Sequence, residues 1–62
     1  MIKLGIDVGT STVKLAMLSE GKLTKTWIKR HHGRLLPTIK AGIEAMDLPN
    51  GEIMVNCTGQ CH

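Results

Sequence analysis

The chain has 62 residues and lacks phenylalanine and tyrosine, with one tryptophan and two cysteines. So few aromatic side chains leave little volume for a large core, and a domain of this size buries only about 60% of the surface that its unfolded chain exposes. The cysteines, Cys57 and Cys61, lie close together and do not form the disulfide framework typical of small secreted domains. We therefore expect residues 1–62 to be part of a larger domain.

Long apolar runs are also absent. The longest nearly uncharged segment, residues 4–13, contains Asp7 and is far shorter than the roughly 20 residues of a membrane-spanning helix. No apolar stretch of signal-peptide length follows Met1. We interpret the chain as cytoplasmic, with no membrane partner.

The formal net charge is +3, and much of it lies in "KTWIKRHHGR", residues 25–34. A basic segment of this kind can bind nucleic acid or another acidic partner. Trp27 is its only aromatic residue, and it contains no nucleic-acid-binding motif. We interpret it as a solvated loop and expect no nucleic-acid partner.

The remaining pattern predicts an α/β fold. Alternating apolar and β-branched residues predict four strands, at residues 2–8, 12–18, 23–29 and 53–57. Tight turns at residues 9–11 and 19–22 join the first three into an antiparallel meander, and Gly21 can adopt a positive φ in the second turn. On the third strand, Leu23, Lys25 and Trp27 are expected to share a face.

A helix is predicted between the third and fourth strands, which gives the order β-β-β-α-β. Its large apolar residues recur at spacings of three, four and three, as Leu36, Ile39, Ile43 and Met46. We expect this stripe to cover the sheet, and Trp27 to lie in the core. Gly42 is unfavourable within the helix by about 1 kcal/mol relative to alanine.

The first turn lies in the segment "GIDVGTSTVK", residues 5–14, and its residue types suit phosphate chemistry. Gly9 lets the backbone approach phosphate oxygens, and successive N–H groups of such a turn attract anions. The hydroxyls that can donate to the same oxygens belong to Thr10, Ser11 and Thr12. Lys14 lies on the same strand face as Thr12, from which its ammonium can reach the phosphates.

Asp7 ends the first strand, on the opposite face from Lys14 in this interpretation. A carboxylate there suits Mg²⁺, chiefly through its water shell, since this ion dehydrates reluctantly. The plain alternative is a hairpin in which Asp7 only caps the backbone. Neither familiar glycine-rich nucleotide motif is present, so the phosphate interpretation depends on the whole set of residues.

Three segments resemble a known superfamily. "GIDVGTSTVKLAML" resembles the first phosphate-binding hairpin of actin, the sugar kinases and the heat-shock chaperones. "KRHHGRLLPTIKAGIEAM" is similar to the segment after the third strand in the ATP-dependent activases of 2-hydroxyacyl-CoA dehydratases and benzoyl-CoA reductases. "VNCTGQCH" stands where that branch has a strand and a Thr-Gly loop. The resemblance implies a ribonuclease-H-like, actin-like ATPase lobe, with residues 1–62 as its N-terminal portion.

The resemblance also implies ligands and partners. Asp7 would act on magnesium and its waters, and Lys14 would neutralise the phosphates of ATP or ADP, which makes both catalytic. The residues implied to cradle the phosphates are Gly9, Thr10, Ser11 and Thr12. The activases are homodimers with a bridging [4Fe–4S] cluster, and they pass an electron to an acyl-CoA dehydratase or reductase. In that family the cluster cysteines would lie beyond His62.

The roles of the remaining cysteines and histidines stay open. Cys57 is typical of a small buried hydrophobe at a strand end, while Cys61 and His62 depart from the family pattern. A thiolate and imidazole set of this kind would need further ligands to hold a metal. His31 and His32 are adjacent and make a poor chelate, so metal, partner contact and a solvated loop are all open, the last being favoured.

Two other functions compete with the activase. A small-molecule (sugar) kinase of the same superfamily begins with a similar hairpin but usually lacks the His-His-Gly-Arg link. A chaperone-like or filament-like module would bind nucleotide without a redox partner.

Because nucleotide clefts of this superfamily need two lobes, we expect the 62-residue chain to have little or no ATPase activity by itself. Steady-state phosphate release provides the measurement. Release clearly above background in the wild-type chain, lost in Asp7→Ala, would contradict this expectation.

Overall fold

The computed structural model describes residues 1–59, which form a four-stranded mixed sheet and one helix. The elements are β1 (Ile2–Val8), β2 (Thr12–Ser19), β3 (Lys22–Arg30), α1 (Leu35–Met46) and β4 (Ile53–Gly59). The sheet order is β3-β2-β1-β4, with β1–β2 and β2–β3 antiparallel and β4 parallel to β1. The predicted α/β class and element order are confirmed, and β4 is two residues longer than predicted. No helix among these residues combines the length and apolar character that a membrane crossing requires.

The β1–β2 hairpin supplies most of the core. Val8 lies opposite Val13, Ile6 opposite Leu15 and Leu4 opposite Met17, so that one face of both strands is apolar. Because side chains alternate between faces, the residues between them point to the other side of the sheet. The buried core comprises Leu4, Ile6, Val8, Val13, Leu15, Met17 and Met46.

The β2–β3 connection is a β-turn over residues 19–22, as predicted, with a loop of two residues. Ser19 pairs with Lys22, and the two residues between them, Glu20 and Gly21, have φ values of 52° and 77°. Two positive φ values are typical of the type I′ turn, whose twist matches an antiparallel hairpin. The predicted positive φ of Gly21 is confirmed.

A register shift changes which face Leu23 occupies. Lys25 lies opposite Met17, but Leu23 lies opposite Leu18, so the two strands are out of step by one residue at Thr24. The Thr24 hydroxyl donates to the Met17 carbonyl oxygen at 3.1 Å. The prediction that Leu23 and Lys25 share a face is wrong, because an irregularity of this kind interrupts strict alternation.

The helix α1 packs through only part of the predicted stripe: Met46 lies in the core and Ile39 packs against it, but Leu36 and Ile43 do not. Its buried residues are Thr38, Gly42 and Met46, whereas Leu36 is 79% exposed and Ile43 is 36% exposed. A Cβ on Gly42 would lie 2.5 Å from Leu15 Cδ1 and 2.6 Å from the Trp27 ring. The missing side chain at this position therefore lets the helix axis approach β2 and β3 closely.

Residues 25–30 of the basic segment lie in β3, one residue beyond the predicted end of the third strand, so this part of the segment is not a loop. Lys25 Nζ donates to the Met46 carbonyl oxygen at 2.8 Å, at the C-terminal end of α1. A cation there is favourable because the helix end carries partial negative charge. His31 is only 8% exposed, so the solvated-loop interpretation is wrong for this residue as well.

We expect Gly42→Ala to destabilise the protein by about 1–3 kcal/mol, because a methyl group at this contact overpacks the interface with Leu15 and Trp27. Urea unfolding followed by circular dichroism measures the change. Ala41→Gly, at an exposed helical position, is the control and should cost about 1 kcal/mol from helix propensity alone. A stabilised Gly42→Ala protein would contradict the close helix–sheet contact.

Candidate functional site

The turn between β1 and β2 presents several open hydrogen-bond donors. The Gly9 N–H donates to the Thr12 carbonyl oxygen at 2.9 Å, which closes the turn. Within residues 1–59, the N–H groups of Thr10 and Ser11 donate no hydrogen bond, nor do the hydroxyls of the three residues after Gly9. Thr10 and Ser11 are exposed. The turn therefore offers N–H and O–H groups to a ligand rather than to the fold.

Asp7 and Lys14 lie directly opposite each other on β1 and β2. Directly paired residues share a face of the sheet, so the expectation that they occupy opposite faces is wrong. Asp7 also pairs with Thr58 of β4, whose hydroxyl donates to Asp7 Oδ1 and to the Ile6 carbonyl oxygen, both at 3.4 Å. The structure thus aligns an ammonium, a carboxylate and a hydroxyl across three neighbouring strands.

The same face contains a shallow depression of about 160 Å³ beside these side chains. Gly5 lies between Ala16 on β2 and Asn56 on β4, so that small residues leave room at the centre of the sheet. Ligand pockets usually enclose roughly 300–1,000 Å³. The depression therefore suits an ion or a phosphate group rather than a whole nucleotide.

Sequence reasoning missed several residues of this depression. The sequence pattern does not identify Gly5, Ala16 or Asn56 as site residues, and it predicts Thr58 in a loop, whereas the structure has it in β4. Gly5 carried a usable signal, since glycine inside a strand often marks the close approach of a ligand or another chain. Asn56 carries no such sequence signal, because its place beside Gly5 follows from the parallel pairing of distant segments.

The site lies at the carboxyl ends of the two parallel strands, β1 and β4. Open α/β sheets bind ligands at this edge. Gly59 ends β4 with φ +81°, and a Cβ on it would collide with the backbone of Val8. Close contact at this point sets the end of β4 against the strand that carries Asp7.

Gly9 is not required by the fold in the same way. Its φ lies outside the left-handed region, and a Cβ on it would meet the nearest atoms of Thr12 at 3.5 and 3.6 Å, which is ordinary van der Waals contact. The internal packing of the turn therefore gives no reason for glycine at position 9. A ligand that approaches the backbone closely does give one.

A second cation lies near the turn. Arg30 pairs with Thr12 across β2 and β3, which places it on the face that carries Lys14. It is exposed and makes no ion pair within the described part of the chain. Lys3 lies on the same face, so this surface carries three cations against Asp7, a balance that attracts polyanions.

Residues 1–59 bring no group of three or more histidine, cysteine or acidic side chains together. Asp7 is still a suitable magnesium ligand, because Mg²⁺ usually keeps several waters and is held by one or two carboxylates plus substrate phosphates.

Cys57 lies opposite Ile6 on β4 and is exposed, because α1 packs over β2 and β3 and does not reach β4. The expectation that it is buried is wrong. His32, next to the buried His31, is exposed. The predictions for Cys61 and His62 concern residues outside the described range.

No protein-family model, no curated protein and no solved structure matches this chain significantly.

We expect Gly59→Ala to lower the free energy of unfolding by more than about 1 kcal/mol, because alanine is strained at this φ and its methyl group meets Val8. Gly9→Ala should change stability by no more than about 0.5–1 kcal/mol, and in the stabilising direction. Urea midpoints of the two variants test the contrast. Equal losses in both would contradict the distinction between a glycine that the fold requires and one that it does not.

Proposed function

We propose that the chain binds the phosphates of ATP or ADP at the β1–β2 turn, as the N-terminal portion of an actin-like ATPase domain with a ribonuclease-H-like fold. The observation that carries this proposal is the set of open donors at Thr10 and Ser11, beside a paired Asp7 and Lys14. The intact protein would be an activase that couples ATP hydrolysis to electron transfer into a 2-hydroxyacyl-CoA dehydratase or a benzoyl-CoA reductase. The resemblance of the hairpin and of residues 29–46 supports that assignment.

The turn residues would bind the β- and γ-phosphates. Backbone N–H groups and hydroxyls donate to the phosphate oxygens, while Lys14 and Arg30 lower the electrostatic cost of gathering their charge. Phosphoryl transfer depends mostly on positioning and electrostatic stabilisation. The turn supplies the donors that position the phosphates, and Lys14 and Arg30 supply the positive charge. The small volume of the depression agrees with a site that a second lobe must complete.

Asp7 would hold magnesium through its waters. The Thr58 hydroxyl donates to Oδ1 of Asp7, which restrains the carboxylate and leaves its other oxygen to accept from a metal-bound water. Bound magnesium would neutralise charge on the phosphate oxygens. Asp7 and Lys14 thus have complementary roles, one toward the ion and one toward the phosphates.

The activase assignment also includes a partner and an iron–sulfur cluster. The described residues bring together no set of side chains that fits such a cluster, and the activase relationship assigns it to residues outside this chain, at the interface of a homodimer. The function of the present residues within the activase is therefore nucleotide binding.

An amide NMR titration of the chain with Mg-ADP, Mg-ATP and Mg-pyrophosphate tests the proposal. We expect selective shifts at Gly9, Thr10, Ser11 and Thr12 with all three ligands, because phosphate is the group recognised. Lys14→Ala should weaken binding by at least about tenfold, since hydrogen bonds to charged groups contribute about 1.5–3 kcal/mol.

Lys3→Ala is the matched control, because it removes the same charge from the same face of the sheet, at the end of the hairpin away from the β1–β2 turn. Equal weakening by the two variants would indicate attraction by net charge alone. A well-dispersed spectrum with no shifts at the turn would refute the proposed function.

A further inference from the structure

His31 follows β3 and packs beside the β1–β2 turn, with only 8% of its surface exposed. Its backbone N–H donates to the Ser11 carbonyl oxygen at 3.0 Å. Its ring nitrogen Nε2 lies 3.1 Å from the Gly9 carbonyl oxygen. His31 thus contacts the carbonyl groups of Gly9 and Ser11, the residues on either side of Thr10.

The third contact of His31 determines its tautomer. The Gly33 N–H donates to Nδ1 at 3.0 Å, so Nδ1 accepts and carries no hydrogen. In the neutral imidazole the hydrogen then resides on Nε2, which donates to the Gly9 carbonyl oxygen. The hydrogen bond from Gly33 therefore fixes the tautomer in which Nε2 can donate to the Gly9 carbonyl oxygen.

The Gly9 carbonyl and the Thr10 N–H belong to one planar trans peptide, in which they point in opposite directions. A hydrogen bond from His31 to the carbonyl therefore turns the Thr10 N–H away from His31 and leaves it free of other partners in residues 1–59. Glycine at position 9 gives this peptide unusual freedom to rotate. His31 supplies the restraint that Gly9 lacks.

We propose that His31 is a positioning residue of the phosphate turn, which holds the Gly9 and Ser11 carbonyl groups so that the Thr10 N–H stays directed at the anion. This inference rests on the proposed function of the turn. The residue acts through the two peptides and does not contact the ligand.

The restraint extends to the helix. The Arg34 N–H donates to the His31 carbonyl oxygen at 2.7 Å, and the Thr38 hydroxyl donates to the Arg34 carbonyl oxygen at 2.7 Å. A continuous chain of hydrogen bonds thus joins the turn to the first turn of α1. These hydrogen bonds therefore connect the orientation of the turn peptides to the start of the helix.

Two variants separate the contacts of His31. In His31→Gln the side-chain amide N–H reaches about as far as Nε2 and can still donate to Gly9. In His31→Asn the side-chain oxygen takes the place of Nδ1, but no donor reaches Gly9. Both side chains are polar and uncharged, so that their difference isolates the contact with the turn.

We expect Mg-pyrophosphate and Mg-ADP to bind His31→Gln within about threefold of the wild-type affinity and His31→Asn at least tenfold more weakly, with similar urea midpoints for the two variants. Equal affinities in all three proteins would overturn the proposal. Where His31→Asn fails to fold, ¹⁵N NMR of the wild-type ring decides: a protonated Nε2 supports the contact, and a protonated Nδ1 overturns it.

Failure of the proposed function gives a different result. If the folded wild-type chain binds neither ligand, the nucleotide proposal is wrong. Hydrogen exchange of the Gly9 amide then tests whether His31 restrains the turn. Faster exchange in His31→Asn than in His31→Gln would support this restraint. Equal rates would overturn it.

Discussion

The pairing register of β1 and β2 is the constraint on which the other features depend. With Val8 opposite Val13, one face of the hairpin is apolar along its length, and the other face carries Asp7 opposite Lys14. A shift of one strand by one residue would move the core side chains of that strand to the opposite face of the sheet. The free energy of burying the core therefore also places Asp7 and Lys14 opposite each other on one face of the sheet.

The single helix makes the two faces of the sheet unequal. The contact of Gly42 with Leu15 and Trp27 seats α1 over β2 and β3, and Lys25 reaches across to the last carbonyl group of the helix. The opposite face has no covering element among residues 1–59 and carries the depression beside Asp7. Packing is thus concentrated on one side of the sheet, and the polar groups that can meet a ligand lie on the other.

Much of this architecture follows from local patterns that the sequence displays. Period-two alternation and the Gly9 and Gly21 turns predict the meander that the structure contains. The phosphate site that the residue types from Asp7 to Lys14 indicate stays a prediction. The apolar pattern of the helix was misleading, because Leu36 and Ile43 are large but lie outside the contact, while the small Thr38 and Gly42 lie inside it. Helical spacing identifies apolar residues but does not reveal where a side chain must be missing for two elements to approach.

The chain sequence by itself determined the strands, the helix and the chemical character of the first turn, because these depend on neighbouring residues and on the conformations that each allows. The tertiary structure alone decided that Thr58 and Asn56 lie beside Asp7 and Gly5, and that His31 is buried against Gly9 and Ser11. These contacts join residues that are 20 to 51 positions apart in the chain. Their geometry arises from the parallel pairing of β4 and from the path of the chain after β3, and no local pattern encodes either one.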